Sequence, residues 1–346
     1  MRRSKPVRAV IAAGAVLLVM LLAAGGTGAW MLFAPNFMPE RTYLIHIYPD
    51  SDFRWLCRQL EDSARCRNIP AFIRTAGLLK YPDHMRTGCY AVVPGMSNRD
   101  LLNRLRRGHQ ERIRLTFNNI RTKDDLAERL GAQLMLEGDE LAGLLDDGVF
   151  CDSMGFTLQT VPAMFIPNTY EVYWNISAGN LMQRMKREYL TFWTEERRKK
   201  AENIGISPVE VATLASIVEE ESAATEEFPV IAGLYVNRLH RGMPLQADPT
   251  VKYAVGDFTL RRVLYRHRDV ESPYNTYLHE GLPPGPIRIP SITAIDAVLN
   301  CAKHPYLYMC AREDLSGKHH FTASLAEHNR NAARYQAALN RRGIYQ

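Results

Sequence analysis

At 346 residues, with 46% hydrophobic and 23% charged side chains, the chain has the composition of folded protein and room for two modest domains, which excludes a largely disordered polypeptide. The formal charge of +6 looks like that of a polyanion binder until Arg2, Arg3, Lys5 and Arg8 are set aside at the extreme N-terminus. The remainder is nearly balanced, so nucleic acid is not an expected partner.

From Val10 to Phe33 no charged residue interrupts the run VIAAGAVLLVMLLAAGGTGAWMLF, enough helix to cross a hydrocarbon core of about 30 Å. A cleaved signal peptide is the rival reading, because Gly25 to Ala29 offers small residues for processing. A retained anchor is preferred because the run continues into apolar Trp30, Met31, Leu32 and Phe33. The basic residues before it keep the N-terminus cytoplasmic and place everything after about residue 34 outside the cytoplasm, on a cell (inner) membrane. The six cysteines, Cys57, Cys66, Cys89, Cys151, Cys301 and Cys310, then lie where disulfides can persist. Connectivity cannot be read from sequence, and buried free thiols are the competing reading. Cys57 with Cys66 and Cys301 with Cys310 are the local pairs to test.

After the anchor, Tyr43 to Tyr48 reads as a strand, Ser51 to Ala64 as a helix with Phe53, Leu56, Cys57 and Leu60 on one side, and Ile69 to Leu79 as a second helix. Gly88 to Val93 reads as another strand, closed by the turn Pro94-Gly95. Ser97, three residues before Asp100, resembles a capping box opening a helix with Leu101, Leu102 and Leu105 and ending at Gly108. Strand, helix, helix, strand is a small α+β module that resembles the LysM fold. Thr122 with Asp125 opens a further helix. The aromatic stretch from Phe165 to Trp174 is expected to be a buried loop between domains, with a sugar-stacking surface as the alternative. Leu181 to Asn203 reads as one solvated helix.

Ser207, Pro208 and Glu210 then make a helix start: N-cap, first helical position and third. At about 100° per residue, Val211, Leu214, Ile217 and Val218 share one face and Glu221 falls on it, while Glu219 and Glu220 point away. An acidic triplet is usually a solvated run. Glu221, however, is the member directed toward packed residues, where desolvation raises a carboxyl pKa toward the range a general acid needs. Downstream come polar and Gly/Pro-rich segments that could surround a polar ligand: Asn237 and Arg238, then Gln246 to Thr250 with Asp248, then Tyr274 to Tyr277 with Asn275 and Tyr277, then Gly281 to Ile287. Asn275 and Asp248 are also common turn formers.

In order and spacing, LASIVEEES, AGLYVNRLHRGMPLQADPTVKYAVG, SPYNTYLHEGLPPGPIRIP, PYLYMCA and GKHHFTASLAEHN resemble the endolytic murein transglycosylase family (MltG, YceG-like), over most of the chain. The resemblance puts the catalytic glutamate, second in a Ser-Ile-apolar-Glu-x-Glu motif, on Glu221, and a substrate-orienting histidine on His320. Ala247 stands where many relatives have Thr. The implied architecture is α+β: a cytoplasmic tail (1–9), a single transmembrane helix (10–33), a LysM-like module (40–115), a connecting region (116–204) and an α+β catalytic domain (205–346). The implied activity is cleavage of the MurNAc-GlcNAc β-1,4 bond in nascent peptidoglycan, leaving 1,6-anhydro ends. Glu221 is the expected catalytic residue; Asn237, Gln246, Asp248, Asn275, Tyr277 and His320 are expected around the substrate. No metal or cofactor is expected, although His319, His320 and His328 lie close in sequence. Expected partners are glycan strands and the lipid bilayer, with peptidoglycan synthases (penicillin-binding proteins) as candidates. A non-catalytic peptidoglycan-binding scaffold and a hydrolytic muramidase are the rival readings.

Overall fold

The computed structural model describes residues 5–260 and 263–342; Arg2 and Arg3 of the basic flank lie outside them. The chain divides into two compact units, one of Met1–Arg114 with Glu171–Asn175, the other of Leu115–Tyr170 with Ile176–Gln346.

The first unit opens with α1 (Lys5–Phe33). Within it Val10–Phe33 forms a stretch of 24 residues with mean hydropathy 2.3 and no buried share, about 36 Å of helix at 1.5 Å per residue and long enough to cross a membrane. Strand β1 (Pro35–Phe37) follows, then β2 (Tyr43–Ile47), α2 (Phe53–Asp62), α3 (Ile69–Leu78), β3 (Gly88–Val92), β4 (Met96–Ser97) and α4 (Asn98–Arg107). β2 and β3 pair antiparallel, with Ile45 opposite Tyr90, and β1 pairs with β4. The starts of α2, α3 and α4 are fixed by side-chain caps: Asp52 accepts from the Trp55 N–H, Asn68 from Ala71 and Ser97 from Asp100. Such caps satisfy N–H groups that no helical carbonyl reaches. α4 stops at Gly108, whose φ of 67° suits a residue without Cβ. Leu56, Leu60, Phe72, Leu101 and Leu105 pack with Ile45, Ile47 and Tyr90 into one core. The end of α1 is tied to this core, since Asn98 Nδ2 donates to the Met31 carbonyl at 2.9 Å and Arg99 lies 4.9 Å over the Phe33 ring.

Strand β5 (Arg112–Thr116) leads out of the first unit. The second unit contains α5 (Lys123–Gly131), α6 (Gly138–Asp146) and α7 (Gly148–Ser153), then β6 (Thr169–Tyr173), whose last three residues belong to the first unit. After these come α8 (Ala178–Phe192), α9 (Glu195–Ile204), α10 (Pro208–Glu221), α11 (Phe228–His240), α12 (Asp248–Val255), α13 (Tyr265–Arg268) and α14 (Ile292–Leu299). The hairpin β7 (Tyr308–Ala311) and β8 (His319–Thr322) precedes the last helix, α15 (Leu325–Arg341). The fold is a mixture of helices and short strands dominated by helix, with one apolar helix near the N-terminus.

Several expectations are corrected. The stretch 165–174 is no loop throughout: Thr169–Tyr173 is a strand in which buried Tyr170 and Val172 alternate with exposed neighbours, the period of a half-buried strand. The single solvated helix expected over 181–203 is two helices, because Thr194 caps a new start. The first of them buries Leu181, Met182, Met185 and Tyr189. All six cysteines are unpaired thiols, including both local pairs singled out above; the Cys66 sulfur instead accepts from Asn36 Nδ2 at 3.2 Å.

α10 is the centre of the second unit. Every residue from Val211 to Val218 is buried, so the helix has no solvent face along this stretch and packs against α9, α11, α12 and α14. Ser216, at 0% exposure, receives the Ile287 N–H at 3.0 Å. Gly233 on α11 is required by close approach: a Cβ there would lie 2.2 Å from the Ala302 carbonyl oxygen.

Candidate active site

The capping box at Ser207 and Glu210 fixes where α10 begins, and its C-terminus delivers Glu221 to a cavity of about 480 Å³. The wall is formed by α11 (Tyr235, Arg238), the turn into α12 (Gln246, Asp248), Arg268, Tyr277, the β7–β8 hairpin (Cys310, His319) and His328 of α15. It is a polar, open hollow assembled from segments far apart in sequence.

Glu221 is partly buried and accepts a hydrogen bond from the Tyr235 hydroxyl at 2.6 Å on Oε1. Burial pushes its pKa up to about 7, the nearby Asp248 charge adds to this, and the Tyr235 bond, Lys252 and Arg238 oppose it. A carboxyl poised there can give a proton and take one back near neutral pH. Burial and the neighbouring Glu221 also hold the Tyr235 hydroxyl far above its ordinary pKa, so it remains a donor. Arg238 is buried, with Nε donating to the Leu307 carbonyl at 2.7 Å and Nη1 to that of Leu245 at 2.8 Å.

Opposite in role is Asp248, at the start of α12. Its Oδ1 accepts from the Tyr277 hydroxyl at 2.6 Å and lies 3.6 Å from Arg268, whose guanidinium sits 4.5 Å over the Tyr277 ring. Gln246 reaches the wall from a left-handed backbone with φ of 51°, an unusual state for a residue with Cβ. The conformation is held because the Gln246 N–H donates to the Thr276 carbonyl and the Ala247 N–H to Thr276 Oγ1, both at 3.0 Å. Ala247 itself is fully buried.

Of the residues expected from sequence, Glu221, Gln246, Asp248 and Tyr277 therefore meet at one cavity. The other three are not brought to its wall. Asn237 Nδ2 donates to the carbonyls of His304 at 2.7 Å and Tyr306 at 3.0 Å, pinning a distant loop to α11. Asn275 is fully buried and spans its own turn, donating to the Arg268 and Val270 carbonyls and accepting the Tyr277 N–H. His320 pairs through Nε2 with Glu313 at 2.7 Å. Its neighbour His319 lines the cavity instead.

Glu219 and Glu220 are also corrected, for they are not a solvated run. Glu219 accepts the Ser291 N–H at 2.8 Å, and Glu220 is bound by Arg288 at 2.6 Å and Arg121 at 2.9 Å. Tyr235 and Arg268 were not named by sequence reasoning; Arg238 was named only within a polar segment, and His319 and His328 only as part of a rejected metal set. For Tyr235 a signal existed, since it stands two positions before the chosen Asn237 in the same motif.

The fold and site define a helix-borne carboxyl with a raised pKa at the end of an open polar cavity. The chain matches the YceG-like family over residues 45–334 and belongs to that family. It is 27% identical over 363 aligned residues to an endolytic murein transglycosylase of Streptococcus pneumoniae, covering 92% of this chain and 64% of that protein. It is 37% identical over 159 residues to the endolytic murein transglycosylase of Bacillus subtilis, covering 46% of this chain and 42% of that one. The chain thus spans less than two thirds of the length of these curated relatives. A crystal structure of a yceG-like protein from Listeria monocytogenes superposes with a TM-score of 0.57 at 26% identity, covering 84% of this chain and 99% of that one.

Proposed function

We propose that this chain is an endolytic peptidoglycan lytic transglycosylase, with Glu221 as its catalytic acid and base. The observation that carries the reading is the Glu221 carboxyl, with pKa pushed up to about 7, opening into a polar cavity at the end of a buried helix. The names of the curated relatives give independent support. Glu221 donates its proton to the glycosidic oxygen as the MurNAc-GlcNAc β-1,4 bond breaks. The carboxylate so formed takes the proton of the muramic acid 6-hydroxyl as that oxygen bonds the anomeric carbon, giving a 1,6-anhydro end and regenerating the acid. Gln246, Asp248 and Tyr277 bind substrate in this reading. A scaffold role is disfavoured because Glu221 faces an open cavity and, among the described residues, forms no salt bridge.

We further propose that α1 is a retained single-pass anchor with a cytoplasmic N-terminus, that residues 40–115 form a LysM-like glycan-holding module, and that residues 205–346 carry the chemistry. Nascent glycan strands at the membrane are the substrate, and the peptidoglycan synthases that make them are candidate partners.

One observation favours a second reading, hydrolysis: Asp248 is a second carboxyl on the same cavity wall, the arrangement a muramidase uses to activate water or attack the sugar. Its hydrogen bond from Tyr277 and the nearby Arg268 favour a positioning role. Mass spectrometry of muropeptides released from purified peptidoglycan separates the two. Anhydromuramic ends support the transglycosylase, and reducing muramic ends overturn it in favour of the hydrolase. Glu221→Gln is expected to lower cleavage by roughly 10²- to 10⁴-fold with an unchanged circular dichroism spectrum.

A further inference from the structure

Behind the cavity lies a cluster that the mechanism above does not use. Glu227, 10% exposed at its side chain, accepts three hydrogen bonds: from Ser222 Oγ at 3.1 Å, from the His319 backbone N–H at 2.9 Å and from His319 Nδ1 at 2.8 Å. Ser222 is the residue after Glu221 and caps the end of α10. The Ser222 oxygen meanwhile receives the Ala224 N–H at 3.1 Å, leaving its own hydrogen for Glu227. A carboxylate only accepts, so the Nδ1 atom of His319 must carry a hydrogen. In the neutral ring Nε2 then holds a lone pair. His319 lines the cavity that contains Glu221, and among the described residues its Nε2 has no hydrogen-bond partner.

We propose that His319 is a substrate-binding residue whose Nε2 accepts a hydrogen bond from a hydroxyl or acetamido N–H of the glycan, and that Glu227 is the positioning residue that fixes its tautomer. The proposal rests on the glycan-cleaving reading of this cavity and adds a residue to it. The chemistry fits the ligand class, because amino sugars present many O–H and N–H donors, whereas the Tyr235 and Tyr277 hydroxyls on the wall are donors already committed to Glu221 and Asp248. An oriented acceptor is the complementary group. Glu227 also couples the two ends of the site, since one carboxylate holds both the residue after Glu221 and the imidazole across the cavity. Carboxylate-fixed imidazoles keep one ring nitrogen committed and leave the other for the ligand.

Two measurements test this. In the ¹⁵N-labelled full chain in detergent at alkaline pH, long-range ¹H–¹⁵N correlations, assigned against His319→Ala, are expected to show His319 with protonated Nδ1 and bare Nε2. In a Glu221→Gln background, which leaves strands intact, His319→Ala is expected to weaken binding of uncrosslinked glycan strands by about tenfold. Glu227→Gln replaces one of the two acceptor oxygens by an NH2 donor, so Ser222 Oγ, the His319 N–H and Nδ1–H can no longer all be satisfied; the tautomer is no longer fixed, and the substitution is expected to weaken binding, with no further loss when combined with His319→Ala. A protonated Nε2 in the unsubstituted chain overturns the proposal, as does undiminished strand binding by His319→Ala. If Glu227→Gln fails to fold, the spectrum of the unsubstituted chain still decides. Neither measurement needs turnover, so a chain that binds strands through His319 without cutting them sinks the catalytic reading and leaves this one standing.

Discussion

At the scale of single residues, the burial that suits Glu221 to acid–base work also costs stability, with a definite sign. The unfolded chain loses this proton near the ordinary 4.5, whereas the fold holds it to about 7. Between those values the native state binds more protons than the unfolded state, so stability falls as pH rises through the window. Below it both states are protonated and no penalty exists; above it the penalty is complete, at most about 3 kcal/mol and reduced because the carboxyl opens to solvent in the cavity. Glu221→Gln keeps the shape and the Tyr235 bond but does not ionise. Calorimetry is expected to find it more stable than the unsubstituted chain at about pH 8, with the difference closing toward about pH 4; a difference independent of pH refutes the assignment. If Glu221 is the proposed acid, cleavage should respond in the same window, falling as pH rises through about 7, because the proton to be donated is then already lost. Tyr235, donating to Glu221 at 2.6 Å, opposes the shift, and Tyr235→Phe is expected to move the midpoint upward.

Secondary elements depend on contacts of another kind, which explains what the sequence did and did not reveal. Caps are local: the Asp52, Ser97, Thr122 and Ser207 side chains reach backbone a few residues away, so helix starts can be read from neighbours alone. The position of Glu221 at the cavity was legible because the helix start set its turn count and the family motif reached the same residue. Destinations set by distant groups were not legible. Asn237 is consumed by carbonyls more than sixty positions onward, and His319 is held by Glu227, 92 positions before it, while His320 pairs with Glu313. Periodicity also misled at α10, where the apolar face found in sequence is part of a helix buried all round. Gly233 is a sharp test of such distant contacts. Its neighbours suit a helix and it gains nothing locally from being glycine, yet a methyl group there would meet the Ala302 carbonyl at 2.2 Å, backbone that cannot rotate aside. Gly233→Ala is expected to lower stability by about 1–3 kcal/mol despite the better helix propensity of alanine. An unchanged melting temperature would show that the 300–307 segment does not pack on α11 as described.

For the whole molecule, the decisive feature is α1. Its apolar stretch Val10–Phe33 is exposed over most of its length, and exposed leucines, valines and methionines along it leave the hydrophobic effect unsatisfied in water. Its end, by contrast, is built into the first unit: Asn98 holds the Met31 carbonyl and is itself bound by Asn36 Nδ2 at 2.7 Å. Asn36 also accepts the Asn68 N–H at 2.8 Å, so the helix runs into the folded module without a slack linker. Under the proposed anchoring a bilayer covers the exposed stretch and leaves the folded module outside it, with Trp30 suited to the interface. Full-length protein in cell extracts is therefore expected to sediment with membranes and to stay there through high-salt washing, because salt screens charges but does not weaken apolar insertion. Detergent should release it as a folded species. Recovery in the salt wash would mean attachment through surface charge alone, and a mature N-terminus near Gly28 or Trp30 would mean that the helix is processed as a signal peptide.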